Sequence, residues 1–310
     1  MLPFVLLLVG VALAALGGEL FVRGAVGAAA LLRVPPAVIG ATVAAFATSS
    51  PEMSVAVQAA RAGTPEIALG DALGSSVVNV GLVLGVTVVL GSLVVHRRDV
   101  RREIAVAAAA PALTVAVLVD GRMVRAEALT LLAVFFGWLV LVTREAARTR
   151  TESFDIGPGD VSLRSVVPTA VLGIAALLVA GNLIVGAAKD IGGLLGLDTF
   201  TIGATVVAAG TSAPELATAI VARRRGHVDV GVGTVLGSNV FNNLWIVGLA
   251  GVITPIELPA VEVLVAVGAS LLGLLLAVPN RSGVLTRSRG VGLLVVVGAY
   301  TLVTLLVGSP

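Results

Sequence analysis

Two glutamates stand where a charged side chain is out of place. Glu52 closes the run Thr48-Ser49-Ser50-Pro51-Glu52 and Glu215 closes Thr211-Ser212-Ala213-Pro214-Glu215, each deep within an apolar stretch. An acid inside a bilayer-length apolar helix costs at least about 2.5 kcal/mol even on a lenient insertion scale, so it calls for a function. Pairing with a neighbouring cation is the bland alternative, but the basic residues of both stretches lie only at their ends. Thr48 and Glu52 are four apart and share a helix face, as do Thr211 and Glu215, with Ser49 and Ser212 beside them. The proline before each glutamate removes a helix hydrogen bond and clashes one turn back, which predicts freed carbonyls around Ala45 to Ala47 and Ala208 to Gly210. In the following apolar stretch of each half, Ser75 and Asn79 are again four apart, as are Ser238 and Asn242, and Gly70/Gly74 and Gly233/Gly237 offer small surfaces for close helix approach. Carboxylate, hydroxyl, amide and carbonyl oxygens together suit a hard cation such as Ca²⁺ or Na⁺ and not zinc or copper, which favour nitrogen and sulfur. Two carboxylates balance one divalent ion. Smaller oxygen pockets could hold Na⁺, and either glutamate could take a proton, so competition for one site would give antiport.

These groups occur twice in register. Sliding the chain by 163 residues lays 40–79 on 203–242 without a gap, and about half of the paired residues are identical. Gly18-Glu19-Leu20 also meets Gly181-Asn182-Leu183. Apolar composition alone does not align rare intramembrane Thr, Ser, Pro, Glu and Asn, so the doubling reads as an internal repeat of the kind transporters use.

The elements that must position these residues follow from composition. At 310 residues, 57% hydrophobic and 12% charged, with a mean hydropathy of +1.08, the chain has more apolar surface than a water-soluble globule can bury. Apolar runs of about 20 residues, enough for a helix to cross about 30 Å of hydrocarbon, recur along its length. A spanning β-barrel would show short alternating segments instead. The expected fold is an all-α integral membrane protein of ten spans, near 3–31, 36–61, 66–93, 103–119, 125–144, 163–189, 199–223, 229–253, 259–279 and 289–308. The first run lacks a basic start and continues to Leu32, so it reads as a retained span and not a signal peptide. Residues 1–145 form the first five-helix repeat, with its motif at 40–79, residues 146–162 a linker, and residues 163–310 the second repeat, with its motif at 203–242. Five is odd, so the second repeat enters from the opposite face and the two are inverted. Counting Lys and Arg by side gives fifteen on the linker side against Arg61, Arg122, Arg125 and Lys189 on the other, which predicts a cell-membrane protein with a cytoplasmic linker and both termini outside.

The same residues resemble the calcium/cation antiporter superfamily and, within it, the sodium/calcium exchanger branch of prokaryotic type. That family's two repeats carry Thr-Ser-x-Pro-Glu followed by Gly-Asn-x-x-Gly-Ser-Asn and a further Asn or Asp. Here TSSPE stands at 48–52 with GDALGSSVVN at 70–79, and TSAPE at 211–215 with GTVLGSNVFN at 233–242. The resemblance covers nearly the whole chain. It implies that Glu52 and Glu215 are the main ion ligands, helped by Thr48, Ser49, Ser75, Asn79, Thr211, Ser212, Ser238 and Asn242 and by the backbone oxygens of Ala45 and Ala208. It also implies that the first and sixth helices are long, tilted and slide against the other eight. The sequence departs from the pattern at Asp71 and Thr234, where the family usually has Asn, at Ser76, and at Asn242, which is Asp in some members. Asp71 is open between a cavity-lining acid and a helix N-terminal cap.

Other polar residues read more plainly. Glu19 and Arg23 are four apart and form an intrahelical ion pair, His96 and His227 lie solvated in basic loops, Trp138 and Trp245 pack, and Arg223 to Arg225 signal orientation. Cysteine is absent, so thiol chemistry is excluded. The arginines cluster in short loops between apolar runs, which speaks against nucleic acid. No phosphate-binding Gly-Lys-Ser/Thr loop, no His-Glu-x-x-His and no intramembrane Ser-His pair point to an enzyme, and no cofactor is expected beyond the transported ions Ca²⁺ and Na⁺, or H⁺. The expected partners are inorganic cations and the lipid bilayer. The functions left are Ca²⁺/Na⁺ antiport, Ca²⁺/H⁺ (or other cation) exchange and, remotely, a cation channel.

Overall fold

The computed structural model describes residues 1–31, 48–95, 97–148, 163–224, 228–257 and 260–307. Helices α1 (Leu2–Leu31), α2 (Ser50–Arg61) and α3 (Pro65–Val78) lead into a π-helical turn, Asn79–Leu84, and α4 (Gly85–Val89). Then come α5 (Arg97–Val117), α6 (Arg125–Arg148) and α7 (Leu163–Leu195). The next span is assembled from α8 (Thr199–Ile202), a π turn at Gly203–Val207, α9 (Ala208–Thr211) and α10 (Ala213–Arg224). Helix α11 (Val228–Val240) passes through a third π turn, Phe241–Ile246, into α12 (Val247–Ile253), followed by α13 (Ala260–Leu276) and α14 (Arg287–Val307). Four two-residue strands, β1 (Leu93–Val94), β2 (Arg122–Met123), β3 (Ile256–Glu257) and β4 (Val284–Leu285), complete the described residues.

Among the described residues six helical stretches are long and apolar enough to cross a membrane: Leu2–Leu20, Pro65–Val89, Arg125–Arg144, Val166–Leu195, Gly231–Ile253 and Arg287–Val307. Two shorter apolar helices, Glu103–Val117 and Val261–Leu276, accompany them. The chain is thus an all-helical, multi-pass membrane protein. Residues 36–47 of the expected second span lie outside the described residues. The expected uniform helix over 199–223 is instead interrupted at Ser212, and α5 begins at Arg97, before the expected start at 103, because its first turn is charged and escapes an apolar pattern. Helix α6 runs on to Arg148, past the expected end at 144, while residues 149–162 of the linker are not among those described.

Local signals explain the ends. Helix α7 stops at Gly196, whose φ of +65° is open to glycine without strain, and the Leu197 N–H returns to the Gly192 carbonyl at 2.9 Å in a Schellman closure. Asp198 then caps α8, its Oδ1 accepting from the Thr201 N–H at 2.8 Å.

Burial sorts the helices into inner and outer sets. Of the apolar stretch in Pro65–Val89, 83% is buried, and of that in Gly231–Ile253, 72%, against 17% for Arg125–Arg144 and 22% for Arg287–Val307. The helices bearing the repeated motifs are therefore walled in, and the outer ones turn Leu8, Leu16, Leu141, Leu172, Leu275 and Val295 outward. Such continuous apolar exposure is what a lipid-facing surface requires.

Small residues let backbones meet. A Cβ on Gly70 would collide with the Phe200 carbonyl, one on Gly74 with the Ala204 backbone, and one on Gly203 with the Ile67 carbonyl, so α3 lies directly against the π turn at Gly203–Val207. Helix α1 packs along α7 through Gly10, Gly17 and Gly24, spaced seven apart, which face Ile184, Ala176 and Ala170. Across the halves, β1 pairs antiparallel with β4 (Leu93 with Leu285) and β2 with β3 (Met123 with Ile256). The 163-residue shift carries β1 onto β3. Trp138 and Trp245 do pack, in an aromatic cluster centred on Phe135, whose ring centroid lies 5.4 Å from those of Phe241 and Trp245.

Candidate functional site

The prolines act as helix starters and not as kinks. Pro51 occupies the first turn of α2 after a break at Ser49 (φ −89°, ψ 11°), and α9 gives way to α10 at Ser212 (φ −79°, ψ 3°), two residues before Pro214. Proline is tolerated in a first turn, where its missing N–H is not needed. The break sets Glu52 and Glu215 in the first turns of α2 and α10. It also differs from expectation at one carbonyl: the Ala208 oxygen still accepts from the Ser212 N–H at 3.1 Å, with the Thr211 hydroxyl at 3.4 Å. The oxygen deprived of its ladder donor by Pro214 is that of Gly210. Ala45 lies outside the described residues.

The remaining expected ligands converge. Thr48, Ser49, Glu52, Ser75, Asn79, Thr211, Ser212, Glu215, Ser238 and Asn242 are all buried. Thr48 Oγ1 lies 3.2 Å from Ser238 Oγ, and Ser75 Oγ lies 3.3 Å from Thr211 Oγ1. Each member of the first pair is 163 residues from a member of the second, so the halves interlock as matched hydroxyl pairs. Glu52 stands beside Thr211, Glu215 beside Thr48 and Ser238, and the two glutamates are near enough for their charges to interact.

What these groups lack is as informative. Both carboxylate oxygens of Glu52 and of Glu215, the hydroxyls of Ser49 and Ser212, and the whole amides of Asn79 and Asn242 are buried without a hydrogen bond of ordinary geometry. Neighbouring hydroxyls are present but are aimed elsewhere. An unsatisfied buried polar group costs about 1–3 kcal/mol, and more when charged, so a cluster of them marks a place built for a ligand. The set is rich in oxygen acceptors, and within it no cation neutralises the acids. Among the described residues no three His, Cys, Asp or Glu side chains are placed to hold a metal by themselves, so hydroxyl and amide oxygens must share the work. That is a hard-cation donor set.

Three features go beyond the sequence reading. Asp71 is completely buried mid-helix in α3, and Thr64 precedes that helix, so the N-cap alternative is excluded. Its Oδ1 accepts from Thr211 Oγ1 at 2.9 Å and from Ser75 Oγ at 3.4 Å. The signal was present, since Asp71, Ser75 and Asn79 recur every four residues on one face. Ser76 is explained by its partners: Asn239 Nδ2 donates to the Ser76 carbonyl at 3.1 Å and Asn243 Nδ2 to its hydroxyl at 2.9 Å, a buried lock of α3 to α11 and the π turn that follows it. Arg223 does more than orient the chain, because its Nη1 donates to the Thr87 and Gly91 carbonyls at 3.0 and 2.6 Å, closing the C-terminal end of α4. Glu19 and Arg23 form the expected ion pair. His96 and His227 lie outside the described residues.

Comparison with known proteins agrees with this geometry. The family model described as "Sodium/calcium exchanger protein" matches residues 2–144 and 165–306. The chain is 33% identical over 266 residues to "Inner membrane protein YrbG" of Escherichia coli (strain K12), covering 83% of this chain and 82% of that one. It is 33% identical over 257 residues to "Putative antiporter CaxA" of Alkalimonas amylolytica, covering 81% of each. It is 26% identical over 294 residues to "Sodium/calcium exchanger MaX1" of Methanosarcina acetivorans, covering 82% of this chain and 84% of that one. Among solved structures, the sodium-calcium exchanger NCX_Mj soaked with 100 mM Na⁺ and 10 mM Sr²⁺ superposes with a TM-score of 0.64 at 28% identity, over 96% of this chain and 97% of that one. A membrane-embedded oxygen site, a doubled motif and a family match over nearly the full length converge: this chain belongs to the sodium/calcium exchanger protein family.

Proposed function

We propose that this protein is a secondary active antiporter that exchanges Ca²⁺ for Na⁺ across the cell membrane, with Glu52 and Glu215 as its principal ligands. The observation that carries the reading is the pair of buried glutamates whose four carboxylate oxygens take no hydrogen bond of ordinary geometry. Ca²⁺ between them is balanced by two charges and takes its remaining oxygens from Thr48, Ser49, Ser75, Asn79, Thr211, Ser212, Ser238, Asn242 and the carbonyls of Ala45 and Ala208. Na⁺ competes for subsets of the same oxygens, and competition for one site is what couples the two fluxes. The C-terminal end of the short helix α9 points its negative dipole end at the break, where a cation is favoured.

In this proposal the chain has ten spans in two inverted five-helix repeats, residues 1–145 and 163–310, joined by a cytoplasmic linker at 146–162, with both termini outside. Helices α1 and α7 slide together past the remainder, exposing the site first to one side and then to the other. The close Gly/Ala seam between them supports their moving as one body.

Purified protein in vesicles should take up Ca²⁺ under an outward Na⁺ gradient. Uptake driven by a pH gradient without Na⁺ would replace Na⁺ by H⁺ as the coupling ion, and flux independent of any counter-ion gradient would indicate a channel. Absence of Ca²⁺ flux under every gradient would overturn the assignment.

A further inference from the structure

Asp71 has no role in the account so far, and its position is unlike that of an ordinary structural acid. It is fully buried, the partners of its Oδ1 are hydroxyls, and among the described residues its Oδ2 has no hydrogen-bond partner. Its Oδ1 faces two hydroxyls from different halves of the chain, Thr211 and Ser75.

A hydroxyl carries one proton and two lone pairs. To coordinate a cation it must turn its proton elsewhere. Besides the Glu52 carboxylate, whose oxygens take no hydrogen bond of ordinary geometry, Thr211 Oγ1 has three further acceptors within reach: Ser75 Oγ at 3.3 Å and the carbonyls of Val207 at 3.2 Å and Ala208 at 3.4 Å. Asp71 Oδ1, at 2.9 Å, is nearer than any of them and bears the charge that strengthens such a bond. The Thr211 proton is thereby drawn to Asp71, leaving its lone pairs for the side on which Glu52 stands. On the side of the matching pair, Thr48 and Ser238, the residue 163 positions on from Asp71 is Thr234, a hydroxyl where the first repeat has an acid.

We propose that Asp71 is a positioning residue of the cation site: it orients the Thr211 and Ser75 hydroxyls and adds a second carboxylate to that side, the third of the site, making the Ser75–Thr211 side the tighter half. This rests on the proposed cation-binding role of Glu52 and Glu215 and refines it. The site is chemically lopsided although the motifs that build it are repeated.

The test is Ca²⁺ titration calorimetry on purified full-length protein, alongside uptake into vesicles. Asp71→Asn keeps an acceptor oxygen but removes the charge, and it should raise the half-saturating Ca²⁺ concentration about tenfold, equivalent to about 1.4 kcal/mol, while the maximal rate changes less. Adding Thr211→Ala to Asp71→Asn should cost less than the sum of the single changes, because the two act through one bond. Exchanging the residues, Asp71→Thr with Thr234→Asp, moves the acid to the Thr48–Ser238 side and should recover Ca²⁺ affinity to within about threefold of the original, which a merely structural aspartate would not do. Unchanged affinity in Asp71→Asn, or no recovery on exchange in a protein with a normal thermal midpoint, would overturn the proposal. Glu52→Gln and Glu215→Gln serve as references: if they lose Ca²⁺ while Asp71→Asn does not, the site stands and the role of Asp71 falls. If none of the three loses Ca²⁺, the site itself is misplaced.

Discussion

Glu52 and Glu215 invert the usual relation between burial and stability. A buried carboxylate with no donor destabilises the fold, and the neutral, isosteric glutamine removes the charge. Glu52→Gln and Glu215→Gln are therefore expected to raise the thermal midpoint in cation-free buffer while abolishing Ca²⁺ exchange. In the unaltered protein, Ca²⁺ at a hundredfold excess over its dissociation constant should stabilise by about 2.7 kcal/mol, and that shift should vanish in both variants. Differential scanning fluorimetry with and without Ca²⁺, set beside vesicle uptake, checks both signs, and a glutamine variant that is less stable yet still exchanges Ca²⁺ would refute the argument. The residues converging at the site were legible in the sequence because acids, amides and hydroxyls are rare in apolar spans and here recur in register. Asp71 was not resolved to one role because an acid one residue after a glycine fits a cap or a cavity equally well; only packing α3 against the π turn at Gly203–Val207 brings it to Thr211. The Ser76 lock was likewise hidden, since its partners Asn239 and Asn243 lie 163 and 167 residues away.

Among the elements, the apolar pattern located spans but could not see how they are interrupted. A π turn needs only one extra residue in a helical turn and carries no composition of its own, so Asn79–Leu84 and Phe241–Ile246 read as plain helix. Both contain or begin beside the site asparagines, Asn79 and Asn242, and a widened turn frees the backbone locally where π bulges commonly serve function. The proline signal was visible, but its outcome, a break with a new helix start at Pro51 and Pro214, depends on Ser49 and Ser212 leaving helical geometry. Close packing here makes a sharp prediction. Gly203→Val would drive a side chain into the Ile67 backbone and should cost about 1–3 kcal/mol through overpacking. Gly298→Ala, in α14, meets nothing within 4 Å and should be neutral or slightly stabilising. Thermal midpoints in detergent compare the two, and equal values would mean that α3 and the π turn are not in direct contact.

For the whole molecule, the absence of cysteine turns topology and motion into clean thiol experiments. A cysteine at Glu152 should react with a membrane-impermeant reagent only from the cytoplasmic side, and one at Ser309 only from outside; labelling of both from one face would reject the inverted arrangement. Motion can be tested in the same background. If α1 and α7 travel as one body, tying them together should leave exchange intact, whereas tying α7 to α2 should stop it. The seams are at hand but tight: a Cβ at Gly17 would lie 2.9 Å from that of Ala176 across α1 and α7, and one at Gly181 on α7 would meet Ser54 of α2. Both approaches are closer than the ~3.5–4.5 Å between the Cβ atoms of a disulfide, so the helices must part slightly and every single cysteine variant must first retain uptake. Oxidising Gly17→Cys with Ala176→Cys should therefore preserve most Ca²⁺ uptake, and oxidising Ser54→Cys with Gly181→Cys should abolish it in a way that reduction reverses. Because Ser54 also bonds to the Leu177 carbonyl of α7, its single variant must retain uptake for the comparison to count. Blocked exchange in the first pair, with free exchange in the second, would mean that the moving boundary runs between α1 and α7 and not between α7 and the site-bearing core.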